Sequence, residues 1–372
     1  MFLVREALPS DLDGVFEVAR HLDTVNLPAD REVLRETLEA SRRSFAAEIA
    51  LSKRQYLLVI EDVEARRIAG TSMIYAQHGQ RGKPHIFFEV LTEERYSDTL
   101  DRHFVHKVLH LGLSYNGPTE IGGLAVLPAY RGHDEKVGLT ISYARFLFIA
   151  AHREWFRDDV ISELLPPLEK DGTSRLWEAL GRKFTGLSYQ EADRISHENK
   201  EFIRGLFPAA PIYATLLPDD AQALIGVVGP ATRGVEKMLR RIGFTYANRI
   251  DPFDGGPHFV ARTDDLSLVR ATVRRPLAGP PKAGRRERAL VATEPRRGGD
   301  EARFRACATE CRIDGEAVQI PEAARALLGV AEGEELWVTP LREVEGRRPK
   351  GEGRDGRDGR DGKDGDEGRG RT

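Results

Sequence analysis

The chain has 372 residues, 40% of them apolar and 31% charged, with a formal net charge of −3. That length suffices for two domains and a tail, and that balance describes a soluble globular protein without the positive charge that captures nucleic acid or anionic membrane. No apolar run reaches about 18 residues and charge enters by Arg5, so neither a membrane span nor a signal peptide is expected, and the reading is cytoplasmic.

In chain order, Phe2 to Leu8 reads as an opening strand, and Pro9-Ser10-Asp11 as a helix-start signal. Asp30 opens a long amphipathic pattern that places Val33, Leu34, Leu38, Phe45 and Ile49 on one side. Tyr56 to Ile60 and Ile68 to Tyr75 read as strands paired around an Asp62 to Arg67 turn, with Ile86 to Leu91 as a third. Ile121 to Leu127 is a further strand, leading through Pro128-Ala129-Tyr130-Arg131-Gly132 into a helix whose buried side carries Leu139, Tyr143, Phe146, Leu147 and Ala150. The sum is an α/β (α+β) arrangement with a mixed sheet.

Residues 271–300 are basic and rich in Pro, Gly and Arg, and read as a linker or mobile loop that ends the main domain at residue 270. Residues 301–343 regain regular patterning as a small β-rich module, and 344–372 form a charged tail with glycine at every third position from Gly353 to Gly368. That period matches collagen, but the repeat lacks proline and is too short and charged for a triple helix, so disorder is expected. Only Cys307 and Cys311 are present. Two thiols cannot complete a four-ligand zinc site, and no metal site is expected. Reduced cytosolic thiols are the simpler account.

The strand–basic turn–helix segment carries the chemistry. A strand that opens a helix through a turn offers free backbone amides and a helix N-terminus to an anion, and Arg131 adds positive charge there. The segment resembles the acyl-CoA site of the GNAT acetyltransferase superfamily, although Arg131 and Gly138 stand farther apart than in its usual turn and Lys136 stands near an expected glycine. Downstream, YARFLFIAAHREWF (143–156), LWEALGRKF (176–184), FIRGLFP (202–208), PIYATLL (211–217) and GFTYANRIDPFDGGP (243–257) resemble, in order and spacing, the arginine N-succinyltransferase family. The resemblance covers about residues 1–342 and leaves the tail unmatched.

The resemblance implies a GNAT-like, largely antiparallel sheet flanked by helices. It also implies transfer of succinyl from succinyl-CoA, a co-substrate rather than a permanently bound cofactor, to the α-amino group of L-arginine. Leu124 matches the family's succinyl-CoA-binding leucine, and the amides of Leu124, Ala125 and Val126 are the natural oxyanion and coenzyme contacts. Arg131, Gly132 and Gly138 would hold the pyrophosphate, while Asn26 and Asp254 would lie near the acceptor. Asp254 serves equally well as a cap of the FDGGP turn. The family is usually multimeric, which implies a homo-oligomer.

Three departures bear on the chemistry. Gly229 occupies the position of the family's proton-donating histidine, and glycine transfers no proton. The glycine-rich substrate loop is replaced by His21 to Asn26, and Ser162-Glu163-Leu164-Leu165-Pro166 lacks an arginine expected after the strand near Ile161. His258, His197, Tyr246 and Tyr213 are the candidate replacement acids or bases, beside direct proton loss to water. A degenerate acyltransferase that senses a CoA ester, and an acceptor other than arginine such as ornithine, are the alternatives. Gly315 to Val338 also resembles a swapped-hairpin DNA-binding motif, but its glutamates would repel phosphates, so nucleic acid is not an expected partner and packing or dimerisation is the better reading.

Overall fold

Alternating and fully apolar runs define the strands, and their pairing joins the whole folded chain. The computed structural model describes residues 1–21, 27–80, 83–281, 284–293 and 304–341. Asn26, the side chain of His197 and the 344–372 tail lie outside the described residues.

Strand β1 (Phe2–Glu6) leads to helix α1 (Leu12–Ala19), and α2 (Arg31–Phe45) follows. Asp30 caps α2 by accepting the Glu32 and Val33 amides at 2.8 and 3.2 Å, satisfying donors that a helix start leaves free. The chain continues through β2 (Gln55–Asp62), β3 (Arg67–Tyr75), β4 (His85–Ser97), β5 (Arg102–Ser114) and β6 (Thr119–Val126). Helix α3 (Val137–Ala151) and β7 (Asp159–Glu163) come next, then β8 (Ile212–Tyr213), β9 (Thr245–Ile250) and β10 (Pro257–Arg262). The C-terminal part adds β11 (Val273–Pro276), β12 (Glu287–Thr293), β13 (Arg305–Asp314), β14 (Ala317–Gln319) and β15 (Glu335–Pro340).

The strand order is β11-β15-β12-β13-β1-β2-β3-β6-β7-β10-β9-β4-β5-β8, with β14 attached to β13. Among the described residues β6 and β7 form the one parallel strand pair, and the other strand pairs are antiparallel. This is the mixed, largely antiparallel, helix-flanked sheet expected from the acetyltransferase resemblance. α1 and α2 cover one face with Val15, Val18, Leu34 and Leu38, while α3 packs on the other. α3 is buried on nearly all sides from Val137 to Ile149, which explains a helix that is apolar all round rather than striped.

Three expectations change. The third strand does not continue the β2–β3 meander: β3 pairs with β6, and β4 pairs with β5 and β9. The segment expected to be a linker holds β11 and β12, because Ala289-Leu290-Val291-Ala292 is an apolar run that pairs on both sides, with β13 and β15. The C-terminal module is not separate either, since β13 pairs with β1 through Val4↔Ala306 and Arg5↔Arg305. Cys307 and Cys311 are free and buried in its core, and burial pushes both thiols up to about 12, which leaves them unreactive.

Candidate functional site

The site is built where the parallel pair comes apart. β6 and β7 pair only at Thr119↔Val160 and Glu120↔Ile161. Beyond Glu120, β6 continues beside β3 while its other edge has no ladder partner among the described residues, so the sheet opens into a cleft. Gly123 makes the bend. Its φ is +55°, and a Cβ there would come within 2.8 Å of Met73 Cγ, so both the conformation and the space require glycine. Thr71 Oγ1 donates to the Gly123 carbonyl at 2.9 Å and fixes the bulge.

Leu124, Ala125 and Val126 follow the bulge along the cleft, with Ala125 packed towards α1 and α2, and Leu124 and Val126 towards α3. Their strand ends at the basic turn. Arg131 is exposed, and its Nε donates to the Val126 carbonyl at 3.0 Å, which holds the guanidinium over the strand end. The α3 hydrogen-bond ladder begins with Thr140 donating to Lys136 at 2.9 Å, so the amides of Val137, Gly138 and Leu139 precede it. No acidic residue stands in the first turn of α3 to repel an anion, and Lys136 at the cap has a left-handed backbone. Gly132 lies in open space, and a Cβ on Gly138 would be only 3.7 Å from Val126 Cγ2, an ordinary contact. The protein's own packing therefore does not demand glycine at 138.

Across the cleft mouth lies a buried cluster of histidines and carboxylates. His78 follows β3, His85 begins β4, Glu120 sits on β6, Glu163 ends β7 and His258 is its register partner on β10. Val160 and Phe259 pack in the α3 core, so alternation turns Glu163 and His258 to the other face. Glu163 Oε1 stands 3.3 Å from His85 Nε2 and 3.5 Å from His258 Nε2. His78 Nδ1 contacts Glu120 Oε2, and its ring meets His85 edge-on at 4.4 Å. Asp251 and Asp254 approach from the β9–β10 turn.

Burial sets the charges. It pushes His258 down to about 4, against the pull of Glu163, so the ring is neutral at pH 7. His85 is lowered for the same reason. Burial also works against charge on His78, but Glu120 outweighs it and the imidazole is raised. Glu163 would be raised by burial, yet the imidazoles around it, His258 first, hold it well below the ordinary carboxylate value. Asp251 is raised to about 6 by burial and by Glu163, and Asp254 is raised by burial and by Asp251.

Of the residues singled out in the sequence, His258 is in this cluster and Asp254 is at its edge. Asp254 Oδ1 accepts the Gly256 amide at 2.7 Å, so it caps the FDGGP turn. Tyr246 does not join them: it pairs with Phe259 and so lies on the α3 face, packed against that core. Tyr213 is farther away, on β8 at the sheet edge, where its hydroxyl meets Glu93 and Arg95. Gly229 donates its amide to the Leu165 carbonyl at 2.8 Å, and a Cβ there would lie 2.5 Å from the Pro166 oxygen. The backbone after β7 thus fills the space a side chain at 229 would need. Glu163, Glu120, His78, His85 and Asp251 were not apparent from sequence, because they come from separate turns and strand ends with no common spacing. An open hollow of about 440 Å³ lies at the other end of β6 and β7, beside Asn116, Arg157 and Arg262, away from the cleft.

A family described as arginine N-succinyltransferase beta subunit matches residues 2–268. The chain belongs to the arginine N-succinyltransferase family. The Yersinia pestis arginine N-succinyltransferase is 31% identical over 361 residues, covering 94% of this chain and all of that protein. The Citrobacter koseri arginine N-succinyltransferase is 30% identical over 298 residues, 79% of this chain and 86% of that one. Among solved structures, the arginine/ornithine succinyltransferase subunit AI from Pseudomonas aeruginosa superposes with a TM-score of 0.77 at 31% identity, covering 92% of this chain and 99% of that one.

Proposed function

We propose that this protein is a cytoplasmic acyl-CoA-dependent N-acyltransferase that moves succinyl from succinyl-CoA to the α-amino group of L-arginine. The observation that carries the reading is the cleft between β6 and β7, with an anion-binding helix start at one end and a carboxylate-rich cluster at the other. Arg131, Gly132 and the first turn of α3 take the coenzyme A pyrophosphate, and the open β6 edge takes the pantetheine arm and thioester. The acceptor enters beside Asp254, near Glu163 and Asp251, and the negative potential of Glu163 favours a cationic amino acid. Asn26 is proposed to complete the acceptor site.

The amine nitrogen attacks the thioester carbonyl. An amide of the Leu124 to Val126 segment donates to the oxyanion, the C–N bond forms and the C–S bond breaks. His258 is the proposed acceptor of the amine proton. It is neutral at pH 7, and Glu163 stabilises the imidazolium it becomes, after which the proton passes to the departing thiolate. His197 remains an alternative proton carrier, and Tyr246 could serve the thiolate from the α3 face.

The departures from the family pattern at His21 to Asn26 and at Gly229 favour a second reading, an altered acceptor such as ornithine. The name of the Pseudomonas aeruginosa relative pairs the two amino acids. Thiol release from succinyl-CoA, measured against arginine, ornithine and other amines, separates the readings. Release with arginine supports the first, and release with ornithine alone supports the second. Retained CoA binding without release by any amine leaves a CoA-ester sensor.

A further inference from the structure

His85 and His258 are almost completely shielded from solvent, and His85 Nε2 and both ring nitrogens of His258 have no hydrogen-bond partner among the described residues. Buried polar atoms are nearly always satisfied, so unpartnered nitrogens facing a carboxylate point to a group held between them. Their spacing indicates which kind. A tetrahedral zinc ion, with bonds of about 2.0–2.1 Å to nitrogen or oxygen, holds neighbouring ligands about 3.3 Å apart. His85 Nε2 and Glu163 Oε1 are 3.3 Å apart, an ion-pair distance that is also the edge length of such a site. Ligand atoms of His78, His85 and Glu163 all lie within 4.8 Å of one another.

We propose that His78, His85 and Glu163 form a binding site for one zinc-class divalent ion beside the β6–β7 cleft. Two histidines and one carboxylate leave a coordination position open, the arrangement of reactive rather than structural zinc sites. Glu120 on His78 Nδ1 supplies the outer carboxylate that fixes an imidazole ligand's orientation. Asp251 and His258 form a second group with Glu163, within the same 4.8 Å, and surround the ion with further negative charge and a neutral ring. The ligands come from the β3–β4 turn, the start of β4 and the end of β7. No sequence spacing reveals them.

The test reads metal, not turnover, so it succeeds or fails independently of succinyl transfer. The full chain is stripped with chelator and titrated with Zn2+ by calorimetry, and separately with Co2+ by visible absorption. One equivalent of Zn2+ should bind, with d–d bands of tetrahedral Co2+ and no thiolate charge-transfer band. Glu163→Gln and His85→Ala should each weaken binding by more than tenfold, and Glu120→Gln, acting through His78, by about 10–100-fold. Circular dichroism reports whether each variant is folded. The wild-type Co2+ spectrum decides the matter without any variant. No saturable binding, a thiolate band that locates the metal at Cys307 and Cys311, or full affinity in folded Glu163→Gln would each overturn the proposal.

Discussion

At the scale of single residues, Gly229 and His258 make opposite predictions. Gly229→Ala places a Cβ against the Pro166 and Leu165 carbonyls, which are backbone and cannot rotate away. Urea unfolding should show a loss of about 1–3 kcal/mol, the usual cost of overpacking. Gly229→His should be at least as damaging and should not raise the rate of thiol release, since the imidazole has no space at the cleft. His258 instead couples stability to pH. Its folded value of about 4 lies below its ordinary 6.5, so the unfolded chain binds more protons between those limits. The stability from its neutral form is present above 6.5 and is lost as pH falls towards 4, about 3 kcal/mol in all. Asp251 opposes it: raised to about 6, it adds stability as pH falls through 6, fully present below its ordinary 3.8. Glu163 acts on both groups, His85, His78 and Glu120 act on His258, and Lys200 acts on Asp251. The contrast between wild type and His258→Gln, both free of metal, isolates the histidine. Chemical denaturation should show the wild type losing stability more steeply between pH 6.5 and 4, and equal slopes would count against a buried neutral ring.

At the scale of elements, the strand–turn–helix was legible before the structure, whereas the cluster opposite it was not. Ile121 to Leu127, the basic turn and the following helix announce themselves through local pattern, and β6 and α3 begin within a few residues of the expected places. The parting of β6 from β7 is a tertiary event, since only the β7 pairing shows where it ends. The sequence signals only the inner part of β4, Ile86 to Leu91, because the polar outer half, Thr92 to Ser97, lacks an apolar pattern and gains its order from β5. Gly138 tests the element directly. Its Cβ would have room, and alanine favours a helix by up to about 1 kcal/mol, so Gly138→Ala should leave thermal stability equal or higher. If the pyrophosphate crosses the first turn of α3, the same change should raise the Michaelis constant for succinyl-CoA several-fold. Arg131→Ala should raise it roughly tenfold by removing a charged hydrogen bond. Unchanged constants in both variants would move the coenzyme off this turn.

At the scale of the whole molecule, the sheet runs without a break from β11 to β8, and its outer hairpin reaches past its neighbours. β4 pairs with β9 only at Phe88 and Glu89, and β5 pairs with β8 only at Val108 and Leu109. From Leu91 to Lys107 the two strands therefore pair with each other alone among the described residues. A lone two-stranded hairpin is marginal in water, yet this one exposes Leu91, Tyr96, Phe104 and Val105, each 48% exposed or more. By strand alternation Leu91 and Phe104 share one face of the ribbon and Tyr96 and Val105 the other, and such exposed apolar side chains gain stability when a second copy covers them. The proposed homo-oligomer should therefore be built on this arm. Phe104→Glu combined with Val105→Glu would place like charges within that contact while leaving the buried core untouched. Light scattering after gel filtration should then give the mass of one chain where the wild type gives a multiple. Loss of mass with retained far-UV circular dichroism would assign assembly to the arm. An unchanged mass would place the contact elsewhere, with the C-terminal strands β11 and β15 as the next surface to alter.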